Sequence, residues 1–483
     1  MKYNHRIDTK EIPTQLAVPV NGTAGLQVVV GTAPVNRAED PQAVVNTPIA
    51  IYSFSEAEKL LGYSDDFKNY TLCQSMDACF RMFAVAPVIF INVLDPKKHK
   101  KTYSREDIPV EAKKAEILES GIFLDSLQVK DNTDIKLKKD EDYIAVFTDA
   151  GGVEITLMTT ERTVDIQSVK IEAEQLDPSQ VSAEDVIGGY DVATGKETGL
   201  EVIRQVYPKL GLVPGIILVT GWSKNPEVAG VMAVKTEGIN GVFTCETVID
   251  MDTENTRVYT SLKDAKEELA VSSPHTVLLW PRLRAGKKDY DYSAVWAAMT
   301  AYTDAENNDV PKKSPSNELL NISAAVLADG TEVLLDTSQA ELVNSYGIVT
   351  AINDNGWRAW GNNTAAYPGT TDPKDRWIAC RRMMSWYRNH FILTFKEKVD
   401  DPADPRLVEA IVDSENLYLN SLTQTGDIAG GVIKFSEEEN PVESILNGTI
   451  VFHTRIAFWV PAEYIFNKIE FDPTILQSAL GGA

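Results

Sequence analysis

The sequence predicts a multidomain α/β and α+β protein with a doubly wound-like α/β core, an inserted β-rich domain and a C-terminal α+β domain. Apolar strands alternate with helices through residues 21–102, which is the pattern of βαβ units around a covered parallel sheet. Residues 103–183 interrupt that alternation with short strands, and the alternation resumes at residue 184. Beyond residue 337, long helices are followed by paired strands.

Size and composition narrow the class of protein. The chain has 483 residues, of which 43% are hydrophobic and 24% charged, and this allows two to four globular domains. No apolar run reaches the roughly 18 residues that span a bilayer, and the N-terminus lacks the apolar region of a secretory signal. We therefore expect synthesis in the cytosol and no direct membrane insertion. The net charge of −24 argues against nucleic acid as a partner.

The elements of the α/β core follow from local patterns. β-branched and apolar runs predict strands at 26–30, 47–52 and 88–93. Apolar residues three or four positions apart predict an amphipathic helix at 66–83. The four cysteines lie in apolar surroundings and are expected to be small core residues: Cys73, Cys79, Cys245 and Cys380. The later core elements are helices at 198–206, 225–233 and 292–302 and strands at 215–219, 241–249 and 276–280.

The insertion and the C-terminal region are predicted in the same way. Within 103–183, strands are expected at 135–138, 143–147 and 153–158, in a separate lobe with an acidic surface. Ser338 and Glu341 have the spacing of a capping box that begins a short helix. Further elements are strands at 348–352, 358–361, 430–435 and 448–460, a helix at 372–395, and a helix at 404–422 that buries Val408, Ile411, Leu417 and Leu422.

The helix at 372–395 carries the most unusual charge pattern of the chain. Lys374, Arg381 and Arg388 recur every seven residues, and Arg382 lies beside them. Seven basic residues against two acids give 374–398 a charge of +5 in a chain of −24. A basic stripe on so acidic a protein favours a specific acidic partner, although a solvated helix face would give the same spacing.

The first 20 residues are polar, contain Pro13 and Pro19, and show no strand or helix pattern. They are either a disordered terminus or an arm that pairs with another chain. At the other end, residues 466–471 are expected to form an extended tail.

Catalytic patterns are weak. The loop at 188–199 superficially suggests a phosphate-binding loop, but Tyr190 stands where a glycine is needed and Glu197 where a serine or threonine is needed. The five histidines show no metal-binding spacing, and no GxSxG nucleophile motif occurs. We expect no catalytic residue, cofactor or metal. A cytosolic enzyme on a doubly wound α/β fold remains the alternative.

Three groups of residues, in this order, resemble the sheath proteins of contractile tails in myophages and phage-derived tailocins. They are residues 184–200 with 213–219, residues 339–348 with 360–361, and residues 447–449 with 461–465. Together they cover the chain from residue 184 to the C-terminus. The family usually continues its Trp-Gly pair with Ala-Arg-Thr, whereas this chain has Asn362, Asn363 and Thr364. No special role is therefore assigned to that loop.

The resemblance implies a structural subunit that forms stacked hexameric rings in a helical array around an inner tail tube. Such a sheath assembles in a metastable extended state and contracts to drive the tube through a cell envelope. Baseplate and tail terminator would be further partners, and a complete phage tail or a tailocin, made in a bacterial host, would be the particle. An inner tube or capsid subunit is the other structural alternative, but tube subunits are typically smaller.

The resemblance also implies roles for particular regions. Terminal strands would be exchanged between subunits, and the C-terminal domain would line the tube. The tube-contact candidates are Lys374, Arg381, Arg382 and Arg388, and the arm candidates are Tyr3, His5, Ile7, Ile469 and Phe471. The expected domains are an arm at 1–20, a discontinuous α/β domain at 21–102 and 184–336, an outer β-rich domain at 103–183, a tube-facing domain at 337–468 and an arm at 469–483.

Overall fold

The structure, a computed structural model, describes residues 20–21, 24–148 and 151–481. The arm candidates Tyr3, His5 and Ile7 lie outside these residues. The described strands are β1 (Val20–Asn21), β2 (Gln27–Gly31), β3 (Ile49–Ile51), β4 (Val85–Ala86), β5 (Val88–Asn92), β6 (Lys100–Pro109), β7 (Lys114–Ile117), β8 (Gln128–Asp131), β9 (Tyr143–Phe147), β10 (Val153–Leu157), β11 (Ser168–Leu176), β12 (Gly189–Asp191), β13 (Lys196–Thr198), β14 (Ile216–Leu218), β15 (Glu237–Ile239), β16 (Phe243–Thr244), β17 (Glu246–Asp250), β18 (Thr276–Leu279), β19 (Arg282–Ala285), β20 (Lys288–Tyr290), β21 (Ala324–Val326), β22 (Ile348–Asn353), β23 (Trp357–Trp360), β24 (Gly430–Phe435) and β25 (Phe452–Ala457).

The described α-helices are α1 (Phe54–Leu61), α2 (Leu72–Asp77), α3 (Ala183–Ile187), α4 (Val206–Leu210), α5 (Pro226–Lys235), α6 (Leu262–Leu269), α7 (Tyr292–Glu306), α8 (Thr337–Ser345), α9 (Pro373–Arg376), α10 (Ile378–Phe395), α11 (Pro405–Gln424), α12 (Val442–Leu446) and α13 (Pro473–Gly481). A π-helical turn (Ala78–Met82) continues α2. The 3₁₀ turns are Val35–Arg37, Pro178–Gln180, Gly199–Gln205, Tyr259–Ser261, Lys396–Lys398 and Glu437–Glu439.

A central sheet of eight strands, in the order β23-β22-β18-β17-β14-β2-β5-β3, organises the molecule. The six inner strands are mutually parallel, and an antiparallel strand closes each edge. Every residue of β2, β5 and β17 is buried, as expected for parallel strands covered by helices. The predicted apolar core strands are therefore confirmed, and all four cysteines are buried.

The amphipathic helix predicted at 66–83 begins only at Leu72, so its first turn was wrong. The loop before Leu72 is held by the side chain of Thr32, which directly follows β2. Thr71 N donates to Thr32 Oγ1 over 3.0 Å, and Thr32 Oγ1 donates to Asn69 O over 2.8 Å. These bonds hold the backbone amide and carbonyl that a longer helix would have used.

The insertion is built from β6–β11 in two antiparallel sheets, with orders β6-β11-β8 and β7-β10-β9. Its strands β6 and β11 pair from Lys100 with Leu176 to Pro109 with Ser168, so the chain enters and leaves side by side. Fifteen buried residues between Ile108 and Ala173 form a core separate from that of the central sheet. The strands predicted at 143–147 and 153–158 are confirmed. The one predicted at 135–138 was wrong, because only Lys136 forms an isolated bridge there.

The helix predicted at 372–395 is interrupted at Trp377, whose φ of −88° and ψ of 127° are extended. The helix is interrupted because the residues on either side of Trp377 form backbone hydrogen bonds with the loop at 362–364. Thr364 N donates to Arg376 O over 2.8 Å, and Ile378 N donates to Asn362 O over 2.9 Å. Helix α10 therefore starts afresh, and Lys374 lies on the separate turn α9.

Two further predictions for the C-terminal region were wrong in detail. The capping box of α8 uses Asp336 and Gln339 rather than Ser338 and Glu341: Gln339 N donates to Asp336 Oδ1 over 2.8 Å, and Asp336 N donates to Gln339 Oε1 over 3.0 Å. On α11, Leu417 is 74% exposed, and the buried leucines are Leu419 and Leu422. Ile411 and Leu422 are buried as predicted and Val408 is half-buried, so the predicted apolar face was wrong only at Leu417.

Helices α10 and α11 and the hairpin β24–β25 enclose a third, smaller core around Met383, Tyr387 and Leu419. In β25 alternate residues are half-buried and exposed, which confirms the predicted one-sided strand. Beyond residue 457 the chain runs to residue 472 without regular structure and ends in α13, which was not predicted.

Candidate assembly surfaces

Arg382 on α10 forms a fully buried ion pair with Asp304 on α7. Arg382 Nη1 donates to Asp304 Oδ1 over 2.9 Å, Nη2 contacts Oδ2, and the two side chains are 4% and 0% exposed. Burial raises the pKa of Asp304 above its usual value, although the Arg382 charge acts in the opposite direction. This pair links α10 to α7, the helix that packs on the central sheet. The predicted tube-contact residue Arg382 thus lies inside the subunit.

Arg381 is buried as well. Its Nη1 donates to Asp375 Oδ1 over 3.1 Å, across the break at Trp377. Arg381 Nε and Nη2 are buried without a hydrogen-bond partner among the described residues. The contact ties α9 to α10, so Arg381 does not form part of an exposed stripe.

Lys374 and Arg388 are the two exposed members of the predicted stripe. Lys374 Nζ donates to Asp372 Oδ2 over 2.9 Å and to Asp375 Oδ2 over 2.5 Å, so its charge is partly compensated locally. The seven-residue spacing was therefore wrong as a description of one continuous surface, because the helix breaks and two of its arginines turn inward. Of the four tube-contact candidates, only Lys374 and Arg388 are exposed in the subunit, and the tube contact itself stays a prediction.

The sequence interpretation missed a neighbouring cation, Arg376. Its Nε donates to Asn363 Oδ1 and its Nη2 to Glu463 Oε2, each over 2.9 Å. The guanidinium also lies over the ring of Trp377, 3.9 Å from the centroid. These contacts anchor the beginning of the C-terminal tail to the loop at 362–364. Glu463 lies in residues 461–465, one of the motifs on which the resemblance rests. Its place in that motif was the sequence signal that could have pointed to the contact with Arg376.

The C-terminal tail itself exposes large apolar side chains. Ile469 is 88% and Phe471 80% exposed, and nothing in the described part of the chain covers them. Their neighbours share this exposure: Tyr464, Ile465, Phe466, Ile475, Leu476 and Leu480. Within the same described residues, β24 and β25 pair only with each other. Asn416 on α11 hydrogen-bonds Ile433 N and O on β24, whereas no further strand of the described chain covers β25 beside the uncovered apolar tail, as is typical of interaction surfaces.

At the carboxyl edge of the central sheet, where an enzyme of this class would bind its ligand, side chains of the protein contact the ends of β14 and β17. Asp250 at the end of β17 accepts hydrogen bonds from Ser223 Oγ at 3.0 Å, Ser293 N at 2.8 Å and Ser293 Oγ at 2.5 Å. Burial, followed by the charge of Asp291, raises the pKa of Asp250 to about 7. A Cβ on Gly221, which has a φ of +83°, would lie 2.5 Å from Thr71 Cγ2. The segment at Thr71 thus packs closely against the loop that follows β14.

The rejected phosphate loop is a hairpin turn between β12 and β13. A hydrogen bond from the Thr194 hydroxyl holds the pKa of Asp191 below its usual value, and Ala193 N also donates to this carboxylate. The Asp191 carboxylate therefore occupies the Ala193 and Thr194 donors that a bound phosphate would need. In the part of the chain that the structure covers, no three His, Cys, Asp or Glu side chains are grouped to hold a metal ion. No described helix is long and apolar enough to cross a membrane.

Comparisons with known proteins concern the sequence and the fold of the chain. No family model matches the chain. The chain is 23% identical to the tail sheath protein of Burkholderia phage BcepMu over 497 aligned positions, covering 99% of both proteins. Its fold matches a chain of the anti-feeding prophage baseplate with a TM-score of 0.60, 14% identity and coverage of 98% and 100%. It also matches the sheath complex of the extracellular contractile injection system PVC in its contracted state, with a TM-score of 0.57, 16% identity and coverage of 98% and 99%.

The two structural likenesses show a shared multidomain α/β fold. The full-length sequence match confirms the predicted resemblance to contractile tail sheath proteins. The matched relatives are structural sheath proteins, not enzymes.

Proposed function

We propose that this chain, which resembles contractile tail sheath proteins along its whole length, is the structural subunit of a contractile tail sheath. The observation that carries the proposal is the match over 99% of both chains to a phage tail sheath protein. The uncovered apolar tail supports it, because such a surface needs a protein partner. The mature protein would be a component of a phage tail or a tailocin-like particle.

The finer mechanism follows from what a sheath must do. Copies form stacked hexameric rings around an inner tube, in an extended state that is metastable. Contraction releases energy stored in subunit packing and drives the tube through a cell envelope, without nucleotide hydrolysis. Its starting signal comes from the baseplate, and a tail terminator closes the other end. The doubly wound-like core supplies a rigid body that moves as a unit.

Strand exchange would connect the subunits. The edges of β24–β25 pair with no further strand in the described chain, although Asn416 already bonds Ile433 on β24. The tail containing Ile469 and Phe471 can cover those edges on a neighbouring copy, and residues 1–20 form the second arm. Because main-chain hydrogen bonds supply this contact, the subunits stay linked while their packing changes.

The domain assignment is part of the same proposal. Residues 103–183 project outward, and residues 337–468 face the tube. Lys374 and Arg388 then contact an acidic tube surface, while the pairs of Arg381 and Arg382 hold α10 in position. Each exposed ion pair contributes only about 0.2–1 kcal/mol, which lets a sheath release its tube, while repetition over many subunits makes the sum large.

The first experiment removes residues 470–483. The truncated subunit should lose only the helical signal of the nine residues of α13 in circular dichroism but remain a monomer in sedimentation, because the tail contributes to assembly and not to a core. Negative-stain microscopy of the full-length protein should show rings or tubes. Polymers of the truncated chain that match those of the full chain would contradict strand exchange. A full-length protein that stays monomeric would contradict the sheath assignment.

The second experiment tests the tube contact with Lys374→Glu plus Arg388→Glu, co-expressed with tube and baseplate. We expect sheath that polymerises alone but fails to form extended sheath on tubes. The matched control is Lys136→Glu plus Lys139→Glu, which makes the same charge change on two exposed residues of the insertion. Normal extended tails from the first double variant would exclude these residues as the contact.

A further inference from the structure

Lys266 on α6 is a half-buried cation that lacks a carboxylate partner. Its Nζ donates to Tyr346 O over 2.6 Å and to Tyr367 O over 2.7 Å. No ion pair of this ammonium occurs among the described residues. Lys263, one turn earlier on the same helix, differs because it is exposed and lies 4.0 Å from the Glu267 carboxylate. An ammonium group has three N–H donors, so one remains available at Lys266.

The partly buried surroundings of Lys266 disfavour its charged form. Burial lowers the pKa of Lys266 to about 8, and no nearby acid opposes that shift. Two carbonyl dipoles compensate a full charge only in part, and buried charges are normally paired with an opposite charge. The described part of the chain therefore provides two hydrogen-bond acceptors for the Lys266 ammonium group but no counter-ion.

A cavity of about 350 Å³ lies at the same position. Apart from Lys263, Lys266 and Glu267, its walls are mostly apolar and aromatic, with Val271, Tyr346 and Pro368 among them. Gly347 has a φ of +74°, and a Cβ there would lie 3.0 Å from Lys266 Nζ and 2.5 Å from Tyr367 O. The glycine leaves the space that the ammonium occupies.

We propose that this cavity binds a carboxylate carried on a short apolar stem, and that its occupant is an Asp or Glu side chain of a second copy of this chain. The chain has 70 acidic against 46 basic residues, so each neighbouring copy presents a surplus of carboxylates. An apolar wall with one cation at its base fits the methylene groups and the charge of such a side chain. This choice of occupant rests on the proposed assembly, whereas the chemistry of the cavity does not.

The cavity alone is tested on the unassembled subunit, with benzoate as the probe. Sodium benzoate should raise the melting temperature above that in equimolar sodium chloride, with a shift that grows with the logarithm of its concentration. Lys266→Gln keeps amide N–H donors for the two carbonyls but removes the charge, and it should abolish the shift. Lys136→Gln, which removes an exposed charge in the insertion far from this cavity in the chain, should leave the shift unchanged. Equal shifts in all three proteins, or none in the unaltered subunit, would overturn the carboxylate site.

The occupant is tested in polymers assembled from equal amounts of ¹⁴N- and ¹⁵N-labelled subunits. A zero-length carbodiimide joins an amine only to a carboxylate in contact with it, and mass spectrometry identifies the joined peptides. We expect Lys266 linked to an acidic residue of the other isotope, and the link absent from the monomer. Polymers in which Lys266 is free, or linked only within its own isotope, would overturn the second copy as occupant. Failure of any polymer to form would instead count against the sheath proposal, and the benzoate experiment would still decide the site.

Discussion

Replacing Arg382 by methionine should destabilise the subunit by about 3–5 kcal/mol, because the change leaves Asp304 buried without its counter-charge. That cost corresponds to a rise of roughly 10²- to 10⁴-fold in the ratio of unfolded to folded protein. The magnitude is set by the complete burial of Asp304 and by its two contacts with the guanidinium. An exposed ion pair would cost at most about 1 kcal/mol.

Two matched variants isolate the cause. Arg388→Met removes an exposed arginine from the same helix and should change stability by no more than about 0.5 kcal/mol. Combining Arg382→Met with Asp304→Leu removes both buried charges and should recover most of the loss, because the orphaned carboxylate, and not the missing arginine, is the source of the cost.

The assay is urea unfolding followed by tryptophan fluorescence between pH 5 and pH 8. Burial already raises the folded-state pKa of Asp304, and without Arg382 nothing opposes that effect. An acid whose pKa is higher in the folded state favours folding when it is protonated, so the deficit of Arg382→Met should shrink as the pH falls. A deficit below 1 kcal/mol, or a double variant no more stable than Arg382→Met, would refute the reasoning.

Two other predictions follow from single buried groups. Leu419→Ala should cost about 2–5 kcal/mol in unfolding free energy, whereas Leu417→Ala, on the same helix but 74% exposed, should cost less than about 0.5 kcal/mol; similar losses for both would contradict the observed helix face. The pKa of Asp250 is raised from 3.8 to about 7, so the folded state binds the extra proton between these values and stability should fall as the pH rises through that window. Asp250→Asn should flatten this part of the stability profile measured by urea unfolding, and an unchanged slope would assign it to other groups.

Local patterns were sufficient for much of the fold. β2 contains an unbroken run of three valines and β5 a run of four apolar residues, which is typical of strands covered on both faces. The alternation in β25 and the burial of the four cysteines were equally predictable from the sequence. The order of three motifs indicated the sheath resemblance, which the full-length match confirms.

Long-range contacts decided the rest. The sequence of 372–395 suits one helix, but the loop at 362–364 captures its hydrogen bonds at Arg376 and Ile378 and breaks it at Trp377. The charge count was correct, yet the environment of Arg382 was set by Asp304, which lies 78 residues earlier in the chain. Spacing along a helix fixes which residues share a face, but it does not show whether an acidic side chain of another element packs against that face.

The sequence by itself therefore determined the apolar strands of the central sheet, the β-rich insertion, the basic composition of one segment and the sheath resemblance. Only the tertiary structure decided that Arg381 and Arg382 lie inside, that Lys374 and Arg388 lie outside, and that Lys266 lacks a counter-ion. The physical reason is the range of the interactions. Backbone propensity and apolar periodicity act between near neighbours in the chain, whereas burial and pairing of a charge depend on residues that only folding brings together.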